Sequence, residues 1–259
     1  MPFPTPLPPL PTDAGLPPLP RLSLFLDLDG TLAALEASPQ AVGPQPRRNA
    51  LVARAVARLA GRVAIISGRT VAEVDRILDG AVAAVAGLHG LERRTAAGER
   101  IAPALHPRLG DAKAALEAFA WTEPGLEVED KGLSLALHFR RAPAAAQAAR
   151  ALVRRLAADA GLLMQEGDCV AELRPPGPDK GDAVAAFMLE APFAGALPLF
   201  VGDDLTDEDG FRAARKAGGF GVLVGPGRPT LATHALPSVP AVLDWLEEEI
   251  GKPAAGTGR

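Results

Sequence analysis

Two groups of carboxylates follow short apolar segments of the chain, and their spacing is suited to metal-dependent chemistry. Asp27 and Asp29 come directly after the apolar segment 22–26, and Gly30 allows a sharp backbone turn beside them. The segment Asp203–Asp209 follows another apolar segment and carries five acidic residues in seven positions. Neighbouring carboxylates repel each other unless one is protonated or a cation lies between them. Oxygen ligands of this kind favour a hard cation, so we predict Mg²⁺ as the cofactor.

Part of this acidic pattern also has a purely structural interpretation. Asp29 alone could cap a turn, and the acids from Asp207 onward could favour the positive end of a helix. The helix does not account for Asp203 and Asp204, which precede it at the end of the predicted strand. The single Cys and four scattered His residues argue against a soft-metal site, which leaves the magnesium interpretation in place.

Ser67 and Lys180 could supply the groups that a phosphate needs beside the cation. Ser67 follows the apolar segment Val63–Ile66 and could donate its hydroxyl to a phosphate oxygen. Lys180 comes after Pro175–Pro178 and could place its ammonium on the same phosphate. Taken alone, Ser67 is as well explained by a helix cap and Lys180 by a solvated surface lysine. Magnesium sites with few protein ligands usually share the cation with a phosphate, and the four clusters together predict phosphate chemistry.

The elements that must position these residues alternate between apolar strands and helices. Strands are predicted near 22–26, 63–66 and 81–86, with helices near 46–59 and 70–78 between them. The same alternation resumes after Lys180. This pattern predicts a doubly wound α/β core with a mainly parallel sheet, in which ligands bind at the carboxyl ends of the strands.

A different pattern interrupts this core. Near Pro103 and Pro107 it changes to helices separated by pairs of strands, which predicts an inserted α+β cap domain with an antiparallel sheet. Nine of the first twenty residues are proline, which predicts an extended and flexible tail. The predicted organisation is a flexible tail at 1–20, a core at 21–106 and 178–250, a cap at 107–177 and a second flexible tail at 251–259.

Composition and charge exclude several classes of protein. The 259 residues are 48% hydrophobic, which is enough for a sizeable core, and the formal charge of -4 argues against nucleic-acid binding. One Cys excludes an intramolecular disulfide, and no apolar run approaches the roughly 18 residues of a membrane span. The proline-rich start is a poor secretory signal. We therefore expect a cytoplasmic monomer without nucleic-acid or membrane partners, in which Trp121 and Trp245 are packing residues.

The motifs resemble those of a known superfamily. The Asp-Leu-Asp-Gly-Thr sequence at 27–31, Ser67, Lys180 and the Gly-Asp-Asp sequence at 202–204 look like the four motifs of haloacid-dehalogenase (HAD) phosphatases. The longer acidic segment, and a cap placed between Ser67 and Lys180, are similar to trehalose-6-phosphate phosphatases. The resemblance covers about residues 21–250. It implies a HAD-like, Rossmann-type core and a Mg²⁺-dependent hydrolase that converts trehalose 6-phosphate to trehalose and phosphate in trehalose biosynthesis.

The resemblance also implies a role for each core residue. Asp27 would attack phosphorus to give an aspartyl-phosphate, and Asp29 would act first as general acid and then as general base. Ser67 and Lys180 would stabilise charge on the phosphate oxygens. The residues that would hold Mg²⁺ or orient its ligands are the Asp27 carboxylate, the Asp29 backbone carbonyl, Asp203, and behind them Asp204 and Asp207.

Substrate choice is expected to come from the cap. In the family, a Glu-x-Lys pair, a His-x-Arg pair and a terminal Glu-x-Arg-Pro contact the sugar. The residues at those positions are Glu129, Lys131, His138, Arg140 and Glu172, and we add Gly30 and Arg69 from the core as substrate-binding residues. Their charged groups could bind sugar hydroxyls, and the alternative is cross-strand ion pairing on a wet sheet face. Asp168 stands where the family often has Lys, and a carboxylate cannot supply the same cation.

Other functions remain open at this point. Another HAD-superfamily phosphatase, acting on a sucrose or hexose phosphate, would have the same core motifs. A catalytically silent sugar-phosphate sensor would have no need for an acid/base residue at Asp29. A receiver-type signalling domain also clusters acids around Mg²⁺, but it would not explain the inserted cap.

Overall fold

An eight-stranded sheet and a four-stranded sheet organise the part of the chain that the structure describes. The computed structural model describes residues 7, 8, 10, 16–36, 38–167 and 169–252. These residues form a core unit, within 1–101 and 178–259, and an inserted unit, 102–177. The boundary falls after Ile101, the last residue of a strand that pairs within the larger sheet, rather than after residue 106. Asp168 and the predicted tail residues 253–259 lie outside the described residues.

The described strands and helices follow in chain order. The strands are β1 (Leu22–Leu26), β2 (Val63–Ile66), β3 (Ala84–Gly87), β4 (Glu92–Arg94), β5 (Arg100–Ile101), β6 (Glu127–Asp130), β7 (Leu135–His138), β8 (Leu163–Gly167), β9 (Val170–Arg174), β10 (Leu197–Gly202), β11 (Phe220–Val224) and β12 (His234–Leu236). The α-helices are α1 (Pro46–Arg58), α2 (Val71–Leu78), α3 (Leu109–Thr122), α4 (Ala146–Ala160), α5 (Lys180–Met188), α6 (Asp207–Lys216) and α7 (Val239–Gly251).

The larger sheet is mainly parallel, in the order β12-β11-β10-β1-β2-β3-β4-β5. All neighbours from β12 to β3 pair in parallel, and only β4 and β5 are added in antiparallel orientation. The doubly wound, mainly parallel core predicted from the sequence is therefore confirmed. The short strands β4, β5 and β12 are not in the prediction, since two or three residues carry too little hydrophobic pattern.

Central strands of this sheet are buried on both faces. Every residue of β1 is buried, and alternate residues enter different hydrophobic clusters, with Leu24 in one and Phe25 in the other. Helices α1, α2 and α7 contribute to the first cluster, and α5 and α6 contribute to the second. Phe25 stacks on Phe193 at 5.5 Å between ring centroids. Helices on both faces explain why these strands are apolar throughout instead of alternating with polar residues.

Two helices of the core unit begin with capping boxes. In α2, the Thr70 hydroxyl accepts from the Glu73 amide, and the Glu73 carboxylate accepts from the Thr70 amide. In α5, Asp179 and Asp182 make the same reciprocal bonds. Each cap satisfies amides that have no partner within the helix, so both helices begin at a defined residue.

The inserted unit has an antiparallel sheet in the order β6-β7-β9-β8, as the sequence predicts for the cap. Leu135 and Leu137 of β7 join the same hydrophobic cluster as residues of α3 and α4. Alternation along the strand therefore places Ala136 and His138 on the face opposite these helices. Trp121 is 91% exposed at the end of α3, so the prediction that it packs internally is wrong, whereas Trp245 is buried in the core unit.

Part of the proline-rich segment 1–20 is ordered against the core unit. The Leu10 amide donates to the Ala235 carbonyl at 2.8 Å, and the Ala235 amide donates to the Pro8 carbonyl at 3.1 Å. These bonds cover the exposed edge of β12, and Leu19 is buried in the core. The described residues of this segment therefore contact the core unit, and the flexibility of the segment stays a prediction. Across the described helices, none combines the length and apolar character needed to cross a bilayer.

Candidate active site

Three neighbouring parallel strands end in the predicted catalytic residues. Strands β10, β1 and β2 lie side by side, and their carboxyl ends lead directly into Asp203, Asp27 and Ser67. The Asp27 amide donates to the Val201 carbonyl at 2.9 Å, which continues the sheet up to the first carboxylate. The polar groups at this edge are therefore positioned by sheet hydrogen bonds, as expected for a ligand site in an open α/β sheet.

A buried ammonium links two carboxylates at this edge. Lys180, the first residue of α5, donates to Asp27 Oδ1 at 2.9 Å and to Asp207 Oδ1 at 2.7 Å. The three side chains are 3%, 6% and 0% exposed, so solvent does not screen the interaction. The predicted surface-lysine alternative for Lys180 is thus wrong.

Burial and charge act in opposite directions on the pKa values of this group. Burial raises the pKa of Asp27 well above its ordinary value, and although the Lys180 charge opposes that rise, Asp207 and Asp203 add to it. For Lys180, burial lowers the pKa, but the charges of Asp207 and Asp27 outweigh it and the net shift is upward. The pKa of Asp203 is raised to about 7, mainly by burial and secondly by repulsion from Asp207. A cation bound between these carboxylates would oppose the upward shifts of the acids.

The acids at this edge fit a hard cation. Asp27, Asp203 and Asp207 each offer one carboxylate oxygen, and these oxygens lie within 4.8 Å of one another. Asp207 Oδ2 also accepts from the amides of Asp203 and Asp204, at 2.9 and 3.0 Å. An all-oxygen donor set with few protein ligands is the kind that Mg²⁺ uses beside a phosphate.

Two glycines permit the close approach of these acids to the backbone. Gly30 has φ +79, and a Cβ built there would lie 2.1 Å from Asp203 Oδ2. A Cβ at Gly202 would lie 2.3 Å from the Asp207 carboxyl carbon. Any side chain at either position would displace an acid of the site, so both glycines have a packing role, and Gly30 with its positive φ has a conformational role as well.

The predicted acid/base residue is held by an arginine. Arg69 Nε donates to Asp29 Oδ2 at 2.7 Å and Arg69 Nη2 donates to Oδ1 at 2.6 Å, which is a bidentate ion pair. Arg69 Nη1 also donates to the Pro39 carbonyl at 2.8 Å. The Asp29 carboxylate is accordingly not one of the three described carboxylates that could hold a metal together.

A turn after β3 supports the Ser67 loop. The Leu88 amide donates to the Arg69 carbonyl at 2.9 Å, and the His89 amide donates to the Ser67 carbonyl at 2.8 Å. Leu88 and His89 both have positive φ values, of 50° and 58°. Non-glycine residues in this conformation require support from their surroundings. Here the Leu88 and His89 amides hold the backbone of the loop that carries Ser67, whose side chain is buried.

Asp204 and Glu208, two other acids of the segment 203–209, do not belong to the group that could hold a metal. Asp204 is exposed, and its side chain accepts from the Leu205 amide, so it lies outside the group of three acids that could hold a metal. The Thr206 side chain makes no capping hydrogen bond to α6. Glu208 accepts from Arg228, a residue that the sequence reasoning missed. Arg228 lies in the segment after β11, and Asp27 was predicted because it follows a parallel strand. The same reasoning could have found Arg228.

The inserted unit brings most of its predicted sugar-binding residues into two pairs. Lys131 Nζ donates to Glu172 Oε2 at 2.9 Å, and Ser134 Oγ donates to Glu172 Oε1 at 2.8 Å. His138 Nε2 and Glu129 Oε2 are 2.8 Å apart. Strand register pairs both Glu129 and Glu172 with Ala136, so the two carboxylates share one face of the sheet.

Arg140 does not lie on that sheet. It is exposed and follows the end of β7, so the strand does not place it beside the other predicted sugar-binding residues.

Sequence comparison relates the chain to trehalose phosphatases. The sequence model of the trehalose-phosphatase family matches residues 25–239. The chain is 41% identical over 230 residues to the trehalose-6-phosphate phosphatase of Escherichia coli, covering 88% of this chain and 86% of that protein.

Two solved structures share the fold. One is the C-terminal domain of trehalose-6-phosphate phosphatase from C. albicans, with a TM-score of 0.78, 23% identity and coverage of 90% and 93% of the two chains. The other is a haloacid dehalogenase-like hydrolase from Bacteroides thetaiotaomicron, with a TM-score of 0.59, 16% identity and coverage of 88% and 98%. These structures show that the fold is shared, and the family-model match together with the 41% identical relative shows that the chain belongs to the trehalose-phosphatase family.

Proposed function

We propose that the protein is a Mg²⁺-dependent phosphatase that hydrolyses trehalose 6-phosphate to trehalose and phosphate through an aspartyl-phosphate. The observation that carries the proposal is the buried group of Asp27, Lys180, Asp207 and Asp203 at adjacent strand ends, in a chain of this family. Phosphate monoesters are inert, with enzymatic accelerations of up to about 10²¹, so a positioned nucleophile, a cation and fixed positive charges are all needed.

In the first step, a carboxylate oxygen of Asp27 attacks phosphorus and the bond from phosphorus to the sugar oxygen breaks. Asp29 donates a proton to that oxygen, which leaves as the sugar hydroxyl. Arg69 donates a hydrogen bond to each Asp29 oxygen. One of these hydrogen bonds must therefore break before Asp29 can contact the sugar oxygen. Lys180 and the Ser67 hydroxyl stabilise charge on the phosphate oxygens.

In the second step, Asp29 accepts a proton from water, which attacks phosphorus and releases phosphate from Asp27. Asp27, Asp203 and the Asp29 backbone carbonyl would hold Mg²⁺, with Asp207 orienting Asp203 through the amides that it accepts from. The orienting role predicted for Asp204 would require its carboxylate to leave the Leu205 amide. When bound, the cation neutralises phosphate charge and favours attack by the anionic carboxylate.

For sugar recognition, we propose the sheet face of the inserted unit that carries Glu129, Lys131 and Glu172. Their side chains already make charge-assisted hydrogen bonds in defined geometry, and such groups bind sugar hydroxyls directionally. His138 orients Glu129 through their 2.8 Å contact. Arg140, Gly30 and Arg69 remain predicted substrate-binding residues, and the monomeric state and cytoplasmic location remain predictions.

Substrate identity is tested by a panel of sugar phosphates. We expect kcat/KM for trehalose 6-phosphate to exceed that for sucrose 6-phosphate and glucose 6-phosphate, with no phosphate release after Mg²⁺ is chelated. Lys131→Met should lower kcat/KM for trehalose 6-phosphate by at least about tenfold, since one charge-assisted bond is lost, while hydrolysis of p-nitrophenyl phosphate changes little. Faster hydrolysis of either competing sugar phosphate would overturn the substrate assignment.

The nucleophile is tested by Asp27→Asn, which keeps the size of the side chain but removes its charge. Phosphate release should fall by at least about 10³-fold, because the variant cannot form the acyl-phosphate. Asp244→Asn is the control, since Asp244 is a 68% exposed acid on α7 that pairs with Arg47. Activity of the Asp27 variant close to that of the control would show that another group attacks phosphorus.

A further inference from the structure

Arg228 reaches the backbone that carries the metal-site acid Asp203. Its Nη2 donates to the Asp204 carbonyl at 2.7 Å and to the Asp203 carbonyl at 3.3 Å. Its Nη1 donates to Glu208 and, at 3.2 Å, to the Pro229 carbonyl. One guanidinium thus links the acidic loop, residues 203–206, to the first turn of α6.

Glu208 completes this link from the other side. Its Oε1 also accepts from the Thr230 hydroxyl at 2.7 Å, and its Oε2 accepts from the Leu231 amide at 2.7 Å. The Arg228 and Glu208 side chains are only 21% and 18% exposed. Glu208 is therefore not simply a solvated acid at a helix start, because it ties the segment 228–231 to α6.

The peptide groups of Asp203 and Asp204 are held in both directions. Asp207 Oδ2 accepts from their two amides, and Arg228 donates to their two carbonyls. With amides and carbonyls both bonded, rotation of these peptide planes would break hydrogen bonds on either side of the loop. The direction of the Asp203 side chain depends on those planes.

We propose that Arg228 and Glu208 are positioning residues that hold Asp203 in the orientation required for Mg²⁺. This inference rests on the magnesium site of the proposed function. Both act through the backbone of Asp203, Arg228 directly and Glu208 through its bond to Arg228. Outer partners that orient metal ligands typically contribute about 10–100-fold to metal affinity.

The test measures Mg²⁺ binding directly. MgCl₂ is titrated into the purified full chain, and the dissociation constant is taken from the dependence of the unfolding temperature on Mg²⁺ concentration. Arg228→Ala should bind Mg²⁺ at least about tenfold more weakly than the wild type. Arg228→Lys should fall between them, because an ammonium cannot replace the several directed donors of a guanidinium.

Arg212→Ala is the matched control. Arg212 lies in the middle of α6 and pairs with an acid of the same segment, Asp209, but its side chain is 62% exposed. Its Mg²⁺ affinity should equal that of the wild type. If Arg228→Ala is too unstable to purify, Glu208→Gln keeps the shape of the side chain, removes the charge that Arg228 meets and should weaken Mg²⁺ binding in the same direction.

The outcomes separate this inference from the proposed function. Wild-type protein that does not bind Mg²⁺ would overturn the magnesium site, and the positioning role with it. Wild-type binding combined with unchanged affinity in Arg228→Ala, or in Glu208→Gln if that variant is used, would overturn the positioning role alone. If a variant is less stable but its Mg²⁺ dissociation constant is unchanged, Arg228 and Glu208 contribute to folding and not to metal binding.

Discussion

Lys180 is the residue on which the charges of the site depend. It donates to Asp27 and Asp207 from a buried position, and its charge opposes the effect of burial on the pKa of Asp27. Removing one partner of a buried ion pair leaves an uncompensated charge and typically costs about 3–5 kcal/mol. The same ammonium therefore stabilises the strand ends, and in the proposed function it would also bind the anionic phosphate.

At the residue scale, Gly30→Ala tests how closely the backbone approaches Asp203. The new Cβ would lie 2.1 Å from Asp203 Oδ2, and φ is +79. We expect kcat/KM to fall by about 10–100-fold through displacement of a metal-holding acid, with a lower unfolding temperature. Gly43→Ala is the control, because a Cβ added at Gly43 would have no neighbouring atom within 4 Å. Equal activity of the two variants would contradict the close-approach role.

At the element scale, the carboxyl ends of three strands and the start of one helix converge. Strand order places β10, β1 and β2 side by side, and the capping box at Asp179 fixes where α5 begins. Lys180 is the first residue of that helix. Its ammonium position thus depends on a local cap as well as on its two carboxylate partners.

Asp179→Ala tests this dependence. Loss of an N-cap costs about 1 kcal/mol of unfolding free energy, and we expect kcat to fall in addition because the start of α5 loosens around Lys180. Ser238→Ala removes the cap of α7, where the Ser238 hydroxyl accepts from the Ala241 amide. That control should lose stability but keep kcat, measured by denaturant unfolding and steady-state phosphate release. If kcat is the same in both variants, the Asp179 cap contributes to stability but does not position Lys180 for catalysis.

At the scale of the whole molecule, the candidate metal-binding acids and the predicted sugar-binding residues Glu129, Lys131 and Glu172 lie in different units. The acids that could hold a metal belong to the core unit, and the paired residues Lys131 and Glu172 belong to the inserted unit. Each unit has its own hydrophobic core, since the cluster of the inserted unit is separate from the two clusters of the core unit. Metal binding should therefore stabilise one unit selectively.

Hydrogen exchange with and without MgCl₂ tests this division. Mg²⁺ at about 100 times its dissociation constant stabilises the state that binds it by about 2.7 kcal/mol. We expect slower exchange for peptides covering 22–31 and 198–208, and unchanged exchange for 127–138 and 163–174. Protection that increases equally in both units, or only in the inserted unit, would contradict a metal site built from core residues alone.

Much of this organisation was predictable because its signals are local. The apolar segment at 22–26 and the acids after it predicted a strand end, and the change of pattern near Pro103 predicted the inserted unit. Short edge strands such as β12 were missed, and so were the ordered contacts of Leu10, because two or three residues carry no periodicity. The exposure of Trp121 was also missed, since a large apolar side chain on a helix is usually buried.

The sequence by itself determined which residue types stand at the strand ends, because strand periodicity and turn chemistry act over a few neighbouring positions. Only the tertiary structure decided how these residues are paired. Lys180 meets Asp27 across 153 positions of sequence, and Arg228 meets the carbonyl of Asp203 across 25. Such contacts depend on strand order and helix packing, which bring distant segments to one edge of the sheet and are not encoded in local spacing.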